Sequence, residues 1–459
     1  MTTTPTPAVP TDHPARQDSG RKGHIGRVVA SSLAIGLVAA LLLVAAPFIP
    51  AEISEVTGAV LCGFALGWAL LAVLSTRFTD QPQQWAAIPA MFMGVGGLLL
   101  VAFGSGVDAV LNWVWPPALL ALAIWMAVRV RRQLRSRSGR WLLYPVIALL
   151  ALAAIGGGYE TVRQAADTKA YPMPGQLIDV GGHSLHLNCT GSGSPTVVLE
   201  AGGGEMSSNL GWIMPAVAGT TRVCVYDRAG RGWSEAADVP QDGTQIAIDL
   251  HTLLQRGNIP GPYVLAGHSF GGLYVRTFAA RYPNDVAGLV LVDSTAAGSA
   301  TQPGTTSVDD AGSYDALGRV SALISSSARL GLARLYGQLS YGSLPPRSRD
   351  EARATGSTAS NLRSTIDEYV QANASIDQAA TLQDFAGKPL VVVTAGSGND
   401  AAWQAKQKDM AALSTNSAHR VISGATHEAL VAEQEYSAAT SQAILDVVSA
   451  VRGRGQLSN

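Results

Sequence analysis

Five long apolar runs, at 28–49, 56–75, 85–104, 109–128 and 141–159, fill most of the first third of the chain. Each is about twenty residues long and free of Asp, Glu, Lys, Arg and His, enough for a helix to cross a hydrocarbon core of about 30 Å. The pattern predicts a transmembrane helical domain over 27–160. Residues 1–26 carry no hydrophobic period, and the first twenty are rich in Thr, Pro and Ala; they read as a disordered cytoplasmic tail. From about 171 the rhythm changes. Short apolar runs alternate with longer amphipathic stretches, which predicts an α/β sheet flanked by helices over 171–455. Candidate strands lie at 185–188, 196–200, 222–226, 263–266, 288–292, 390–394 and 419–422. Near-continuous apolar stretches such as Val197-Val198-Leu199 and Leu289-Val290-Leu291-Val292 fit strands buried on both faces.

Composition agrees with that division. Of the 459 residues, 47% are hydrophobic and only 14% charged, against about 25% charged in an ordinary soluble domain. The mean hydropathy is +0.19. The net charge of −1 supplies no basic footprint, so no nucleic-acid partner is expected. Arginine sets the orientation. Arg129, Arg131, Arg132, Arg135, Arg137 and Arg140 crowd the connection before the last run, Arg16, Arg21, Lys22 and Arg27 precede the first, and 51–55 and 105–108 hold neither Lys nor Arg. By the positive-inside rule, the N-terminus and the arginine-rich connection are cytoplasmic. An odd number of crossings then delivers the chain after Tyr159 to the outside of the cell membrane. The runs hold no mid-membrane charge of the kind that marks a transport path, so an anchor is expected rather than a transporter.

The chemistry starts at Gly267-His268-Ser269-Phe270-Gly271, which follows the apolar run Tyr263-Val264-Leu265-Ala266 and precedes a helical stretch. Strand, tight turn and helix around G-x-S-x-G are the context of a nucleophile elbow. Four further segments occur in order around it. They are Val198-Leu199-Glu200-Ala201-Gly202-Gly203-Gly204, Tyr226-Asp227-Arg228-Ala229-Gly230-Arg231-Gly232-Trp233-Ser234, Leu289-Val290-Leu291-Val292-Asp293 and Gly424-Ala425-Thr426-His427. Together they resemble the α/β-hydrolase fold family, in its serine hydrolase branch, from about Gly175 to the end; the resemblance does not reach the five apolar runs.

The resemblance implies a mostly parallel sheet with a helical cap inserted at about 294–383, over a catalytic set of Ser269, His427 and an aspartate. A serine hydroxyl needs a base to become nucleophilic, and an imidazole titrates near neutrality. The acid that would hold the imidazole is either Asp293 or Asp400. Asp293 is preferred, because Asp400 stands one residue beyond the usual spacing after its strand. The backbone N–H groups of Phe270 and Gly203 are the expected oxyanion donors. His183 and His186 read as structural, Asp227 as a brace for its glycine-rich loop, and Arg228 and Arg231 as ion-paired or solvated. Ala201 stands where many family members carry His, and Ser269 stands where epoxide hydrolases and haloalkane dehalogenases of the fold use Asp. Helices are expected in the cap at 322–338 and 360–374. Cys62 lies in an apolar run, and the fold brings Cys189 and Cys224 onto neighbouring strands, so the resemblance implies a disulfide between them, which an oxidising location permits. The three cysteines show no zinc-like spacing.

These features imply a membrane-anchored extracytoplasmic serine hydrolase, esterase- or lipase-like, acting on a small-molecule or lipid-like acyl substrate beside a lipid bilayer. No metal and no organic cofactor is expected. An amidase or aminopeptidase of the same fold is the second reading, with Glu200 as a site for a substrate amine. A non-catalytic ligand-binding sensor or scaffold is the third.

Overall fold

The computed structural model describes residues 24–296, 311–453 and 455–457. The expected tail therefore lies outside the described residues as far as residue 23, and so do cap residues 297–310. Five helices open the chain: α1 (Ile25–Val44), α2 (Ile53–Phe78), α3 (Ala87–Phe103), α4 (Asp108–Gln133) and α5 (Arg137–Ala170). Small residues let them close up: a Cβ on Gly63 of α2 would lie 2.3 Å from the Cα of Ala40 on α1. By length and apolarity four stretches could cross a membrane, because residues 84–133 count as one 50-residue stretch. The sequence pattern divides that stretch into two runs. The chain turns between them: Gly104 has a φ of 53°, and Phe92 of α3 stacks on Trp115 of α4 with ring centroids 4.1 Å apart. Pro116 and Pro117 lie inside α4 without ending it.

The connections gather at opposite ends of the bundle. At one end the Gln81 Oε1 between α2 and α3 accepts the amides of Arg135 and Ser136, and Gly26 of α1 packs against Ser138 of α5. At the other end Gly104 packs against Glu55, and Ser54 Oγ donates to Asp108 Oδ2 at 2.8 Å. The last helix runs past its apolar part to carry Glu160 and Asp167.

An eight-stranded sheet follows, in the order β1-β2-β4-β3-β5-β6-β7-β8. Its strands are β1 (Gln176–Asp179), β2 (Ser184–Thr190), β3 (Val197–Glu200), β4 (Val223–Tyr226), β5 (Tyr263–His268), β6 (Val286–Val292), β7 (Leu390–Ala395) and β8 (Ser417–Ile422). The pairs β1–β2 and β2–β4 are antiparallel and the rest parallel. Every residue of β3, β4, β5 and β7 is buried, as expected of parallel strands covered on both faces. The cover comes from α6 (Ile213–Ala218), α7 (Gly243–Arg256), α8 (Phe270–Arg281) and, later in the chain, α14 (Ala401–Ala411), α15 (Ala429–Ala432) and α16 (Gln434–Gly453). Cys189 pairs with Cys224 in the β2–β4 register, and a disulfide joins them.

Between β6 and β7 the chain builds the cap: α9 (Ala311–Ser326), α10 (Leu332–Leu339), α11 (Pro346–Thr355), α12 (Ala359–Val370) and α13 (Ala372–Ala379). The helix expected over 322–338 is two helices. The first ends at Ser326, a 3-10 turn spans Ser327–Leu330, and Gly331, with a left-handed φ of 78°, closes that turn and starts the second. The stretch 360–374 likewise divides at Gln371. The cap rests on the helical bundle. Arg334 places Nε 2.7 Å from Glu160 and Nη1 2.6 Å from Asp167, Arg329 bonds Asp108 at 2.7 Å, and Arg363 donates to the carbonyl of Ala51.

Candidate active site

The elbow is built from close approaches. Ser269 has φ 54° and ψ −120° between β5 and α8, a conformation that costs about 1–3 kcal/mol and persists only when its surroundings impose it. A Cβ on Gly267 would lie 2.4 Å from the carbonyl oxygen of Gly271, and one on Gly271 would lie 2.5 Å from that of Glu200. Neither position tolerates a side chain, so the turn and the end of β3 are packed backbone to backbone. The Ser269 N–H donates to the carbonyl of Val292 at 3.1 Å, which ties the elbow to the end of β6.

One residue later stands Asp293, fully buried, with a φ of 41°. Its Oδ2 lies 2.6 Å from His427 Nδ1. Its Oδ1 accepts from Trp403 Nε1 at 2.9 Å and from the amide of Ala395 at 3.2 Å, and Asn399 Nδ2 lies 3.2 Å from both oxygens. Burial alone would raise the carboxyl's pKa. The hydrogen bonds from His427, Trp403, Asn399 and the Ala395 amide outweigh it and hold the group below its ordinary value. Asp400 is occupied otherwise: it caps α14, its Oδ1 accepting the Trp403 amide at 2.7 Å. The structure therefore brings Asp293, not Asp400, to His427. The His427 Nε2 and the Ser269 Oγ have no hydrogen-bond partner among the described residues.

The loop after β3 faces the elbow. The nearest atoms to a Cβ on Gly203 would be the Phe270 ring, at 2.8 Å. The N–H groups of Gly203 and Phe270 donate to no protein acceptor among the described residues, while the amides on either side of Gly203 are engaged: Gly202 N–H meets Glu205 Oε2 at 2.6 Å and Gly204 N–H meets Glu368 Oε2 at 3.1 Å. Unpaired backbone amides can receive a developing oxyanion.

Buried charges fix this loop. Glu368 on α12 of the cap binds both Arg228 and Arg231, at 2.7 and 2.8 Å, and Arg228 also reaches Glu200 at 2.6 Å. Burial opposes ionisation of Glu368, but the two guanidinium groups dominate and bring it down to about 2. Glu205 lies 3.0 Å from Nδ1 of His268, the residue before Ser269. Nothing local in the sequence marks Glu205 or Glu368, whose side-chain partners lie far along the chain; nor were Trp403 and Asn399 legible, since each matters only through Asp293. His186 is fully buried between Asp227 at 2.8 Å and the carbonyl of Pro174 at 2.7 Å. His183 faces Asp249 at 3.3 Å. Asp227 accepts the amides of Ser207 and Trp233, bracing its loop.

A family model described as the alpha/beta hydrolase fold matches residues 195–433. An uncharacterized protein of Schizosaccharomyces pombe is 34% identical over 156 residues, covering 27% of this chain and 29% of that protein. An uncharacterized vacuolar membrane protein of Saccharomyces cerevisiae is 29% identical over 132 residues, covering 24% of this chain and 20% of its own. The chain thus spans under a third of either relative. Among solved structures, the enol-lactonase from Burkholderia xenovorans LB400 is similar in fold, with a TM-score of 0.45 and 18% identity, covering 60% of this chain and 100% of that one.

Proposed function

This chain belongs to the α/β-hydrolase fold family, and we propose that it is a membrane-anchored serine hydrolase that cleaves carboxylic esters. The contact of 2.6 Å between Asp293 and His427, beside the strained Ser269 turn, carries the reading. In this reading His427 takes the Ser269 proton as Oγ attacks the ester carbonyl. The oxyanion settles between the N–H groups of Phe270 and Gly203. Asp293 holds the Nδ1–H tautomer and stabilises the imidazolium. The imidazolium then protonates the leaving alcohol, and a water activated by His427 releases the acid and restores Ser269.

The state of the acids favours an ester over a substrate bearing a free amine. Glu200 is buried against Arg228 and Tyr226, and Glu205 against His268, so neither carboxylate is left to receive an ammonium group. Unpaired amides at Phe270 and Gly203, close to the Asp293–His427 pair, favour catalysis over a scaffold role.

The anchor is read as five crossings. The reversal at Gly104, the Phe92–Trp115 stack and the gathering of alternate connections at opposite ends of the bundle support treating α3 and α4 as separate passes. The arginines near α5 then lie on the cytoplasmic side of the cell membrane and the hydrolase domain on the outer side. On α10 the exposed residues Leu332, Leu335, Tyr336 and Leu339 follow helical spacing, a face suited to the lipid interface.

Labelling of intact cells with a fluorophosphonate probe tests the hydrolase reading. Wild type is expected to label and Ser269→Ala is not; equal labelling of the two, or none, counts against it.

A further inference from the structure

The helical bundle contains a cavity that the hydrolase reading does not use. It lies between α2, α3, α4 and α5, is roofed by α9 and the turn that follows it, and measures about 410 Å³. That is within the ~300–1,000 Å³ of ordinary ligand sites. Leu61, Leu100, Leu119 and Leu150 form its walls, and small residues such as Ala153 and Gly157 leave the space open. Its charged and hydroxyl-bearing residues lie toward the cap. There Thr57 Oγ1 and Ser326 Oγ are 2.9 Å apart, and Arg329 bonds Asp108 at 2.7 Å and Ser54 at 3.0 Å.

The depth is informative. From Asp108 at the rim to Leu119 on the same helix is about 16 Å at the rise of an α-helix. That is close to half of a ~30 Å hydrocarbon core. An apolar space does not hold water, which needs polar partners. The Arg329–Asp108 pair at the rim is internally neutral and offers hydrogen bonds without net charge. One end is apolar and one polar, at the depth of one leaflet, which is the pattern of an amphiphile.

We propose that this cavity is a binding site for one acyl chain of a bilayer lipid, with the lipid's polar end at the Arg329–Asp108 rim. Leu323 and Leu330 of the cap line the cavity with the helices of the bundle. The chain therefore contacts both parts and favours the docked arrangement, as any ligand favours the state that binds it. The proposal rests on the reading of the bundle as membrane-spanning.

The test uses full-length protein in phosphatidylcholine nanodiscs that contain a phosphatidylcholine with a diazirine at the end of one acyl chain. Adducts are mapped by peptide after irradiation. Wild type is expected to show adducts at 115–119 and 150–157 that saturate as the labelled fraction rises. A Cβ on Gly157 would make only ordinary contacts, 3.5 Å from the Arg329 carbonyl oxygen and 3.7 Å from the Pro116 ring, so a side chain can start there, and Gly157→Leu places one among the lining residues. It is expected to lower those adducts about ten-fold, the effect of displacing roughly two methylene groups. Leu149→Phe, on the exposed face of α5, is expected to leave them unchanged. Adducts that never saturate in wild type overturn the proposal, and that measurement decides alone if Gly157→Leu fails to elute as a folded protein. Unchanged adducts in a folded Gly157→Leu overturn it too. Carbonate extraction of native membranes separates the two readings: release of the protein refutes the spanning bundle, whereas retained protein without a saturable adduct refutes only the lipid site.

Discussion

His268 Nδ1 stands 3.0 Å from Glu205 Oε2, and its Nε2 stands 3.1 Å from the carbonyl oxygen of His427. Both ring nitrogens face acceptors, which favours the doubly protonated imidazole. Burial opposes that charge, but Glu205 outweighs it and raises the His268 pKa. Burial likewise opposes ionisation of Glu205, and His268 with the Gly202 amide outweighs it and lowers the Glu205 pKa. The ion pair thus links the oxyanion loop, the elbow and the His427 loop.

Its contribution to stability has two edges. The lowered Glu205 contributes fully above its ordinary value of 4.5 and loses that contribution as pH falls through its folded pKa. The raised His268 contributes fully below its ordinary value of 6.5 and loses it as pH rises through its folded pKa. Thermal unfolding of wild type against Glu205→Gln should show the largest gap between those edges, narrowing on both sides. Activity should fall about 10²-fold in the variant, the scale of a small misplacement of catalytic groups. A gap that does not vary with pH would refute the charged pair.

Asp293→Asn should lower kcat about 10⁴-fold by removing the acceptor that selects the His427 tautomer. Asp400→Asn should leave kcat near wild type, because an asparagine side chain still caps α14. Hydrolysis of a chromogenic short-chain ester measures both. Loss of turnover in Asp400→Asn alone would reverse the assignment.

The fold was legible because parallel strands buried on both faces read as apolar runs, as in Val197-Val198-Leu199. The shape of the elbow was legible because its glycines sit where no Cβ fits. The edge strand β1 was missed: three of its four residues are exposed, so it lacks an apolar run. The cap helix break over 327–331 was missed because apolar residues continue on both sides of it. Glu205 and Glu368 were missed for a different reason. A buried charge is recognisable by its partner, and Glu368 meets Arg228 and Arg231 across 140 and 137 residues of sequence.

Glu368→Gln should destabilise the protein by about 3–5 kcal/mol, since it leaves Arg231 and part of Arg228 buried without a counter-charge. With its folded pKa at about 2 against an ordinary 4.5, Glu368 stabilises fully above pH 4.5 and loses that effect as pH falls toward 2. The difference in unfolding temperature between wild type and variant should therefore be constant near neutrality and shrink below pH 4.5. A difference that grows in acid would contradict the assignment.

The number of crossings fixes the side on which hydrolysis occurs, because an odd number separates the start of α1 from the hydrolase domain and an even number does not. If residues 84–133 made a single passage, Gly106 would lie near the middle of the bilayer. If α3 and α4 are separate passes, Gly106 lies at the outer end with Asp108 and the cap, and Ser138 lies at the inner end beside Gly26. Single cysteines at these two positions, in a Cys62→Ser background, decide the matter. A Cβ at Gly106 meets no atom within 4 Å, so Gly106→Cys adds a thiol in open space. A membrane-impermeant maleimide should label Gly106→Cys in intact cells and Ser138→Cys only after permeabilisation. Labelling of Ser138→Cys from outside would place the hydrolase domain in the cytoplasm. Protection of Gly106→Cys under both conditions would support one long passage, and the charge rule would then have to place the start of α1 and the catalytic domain on the same side.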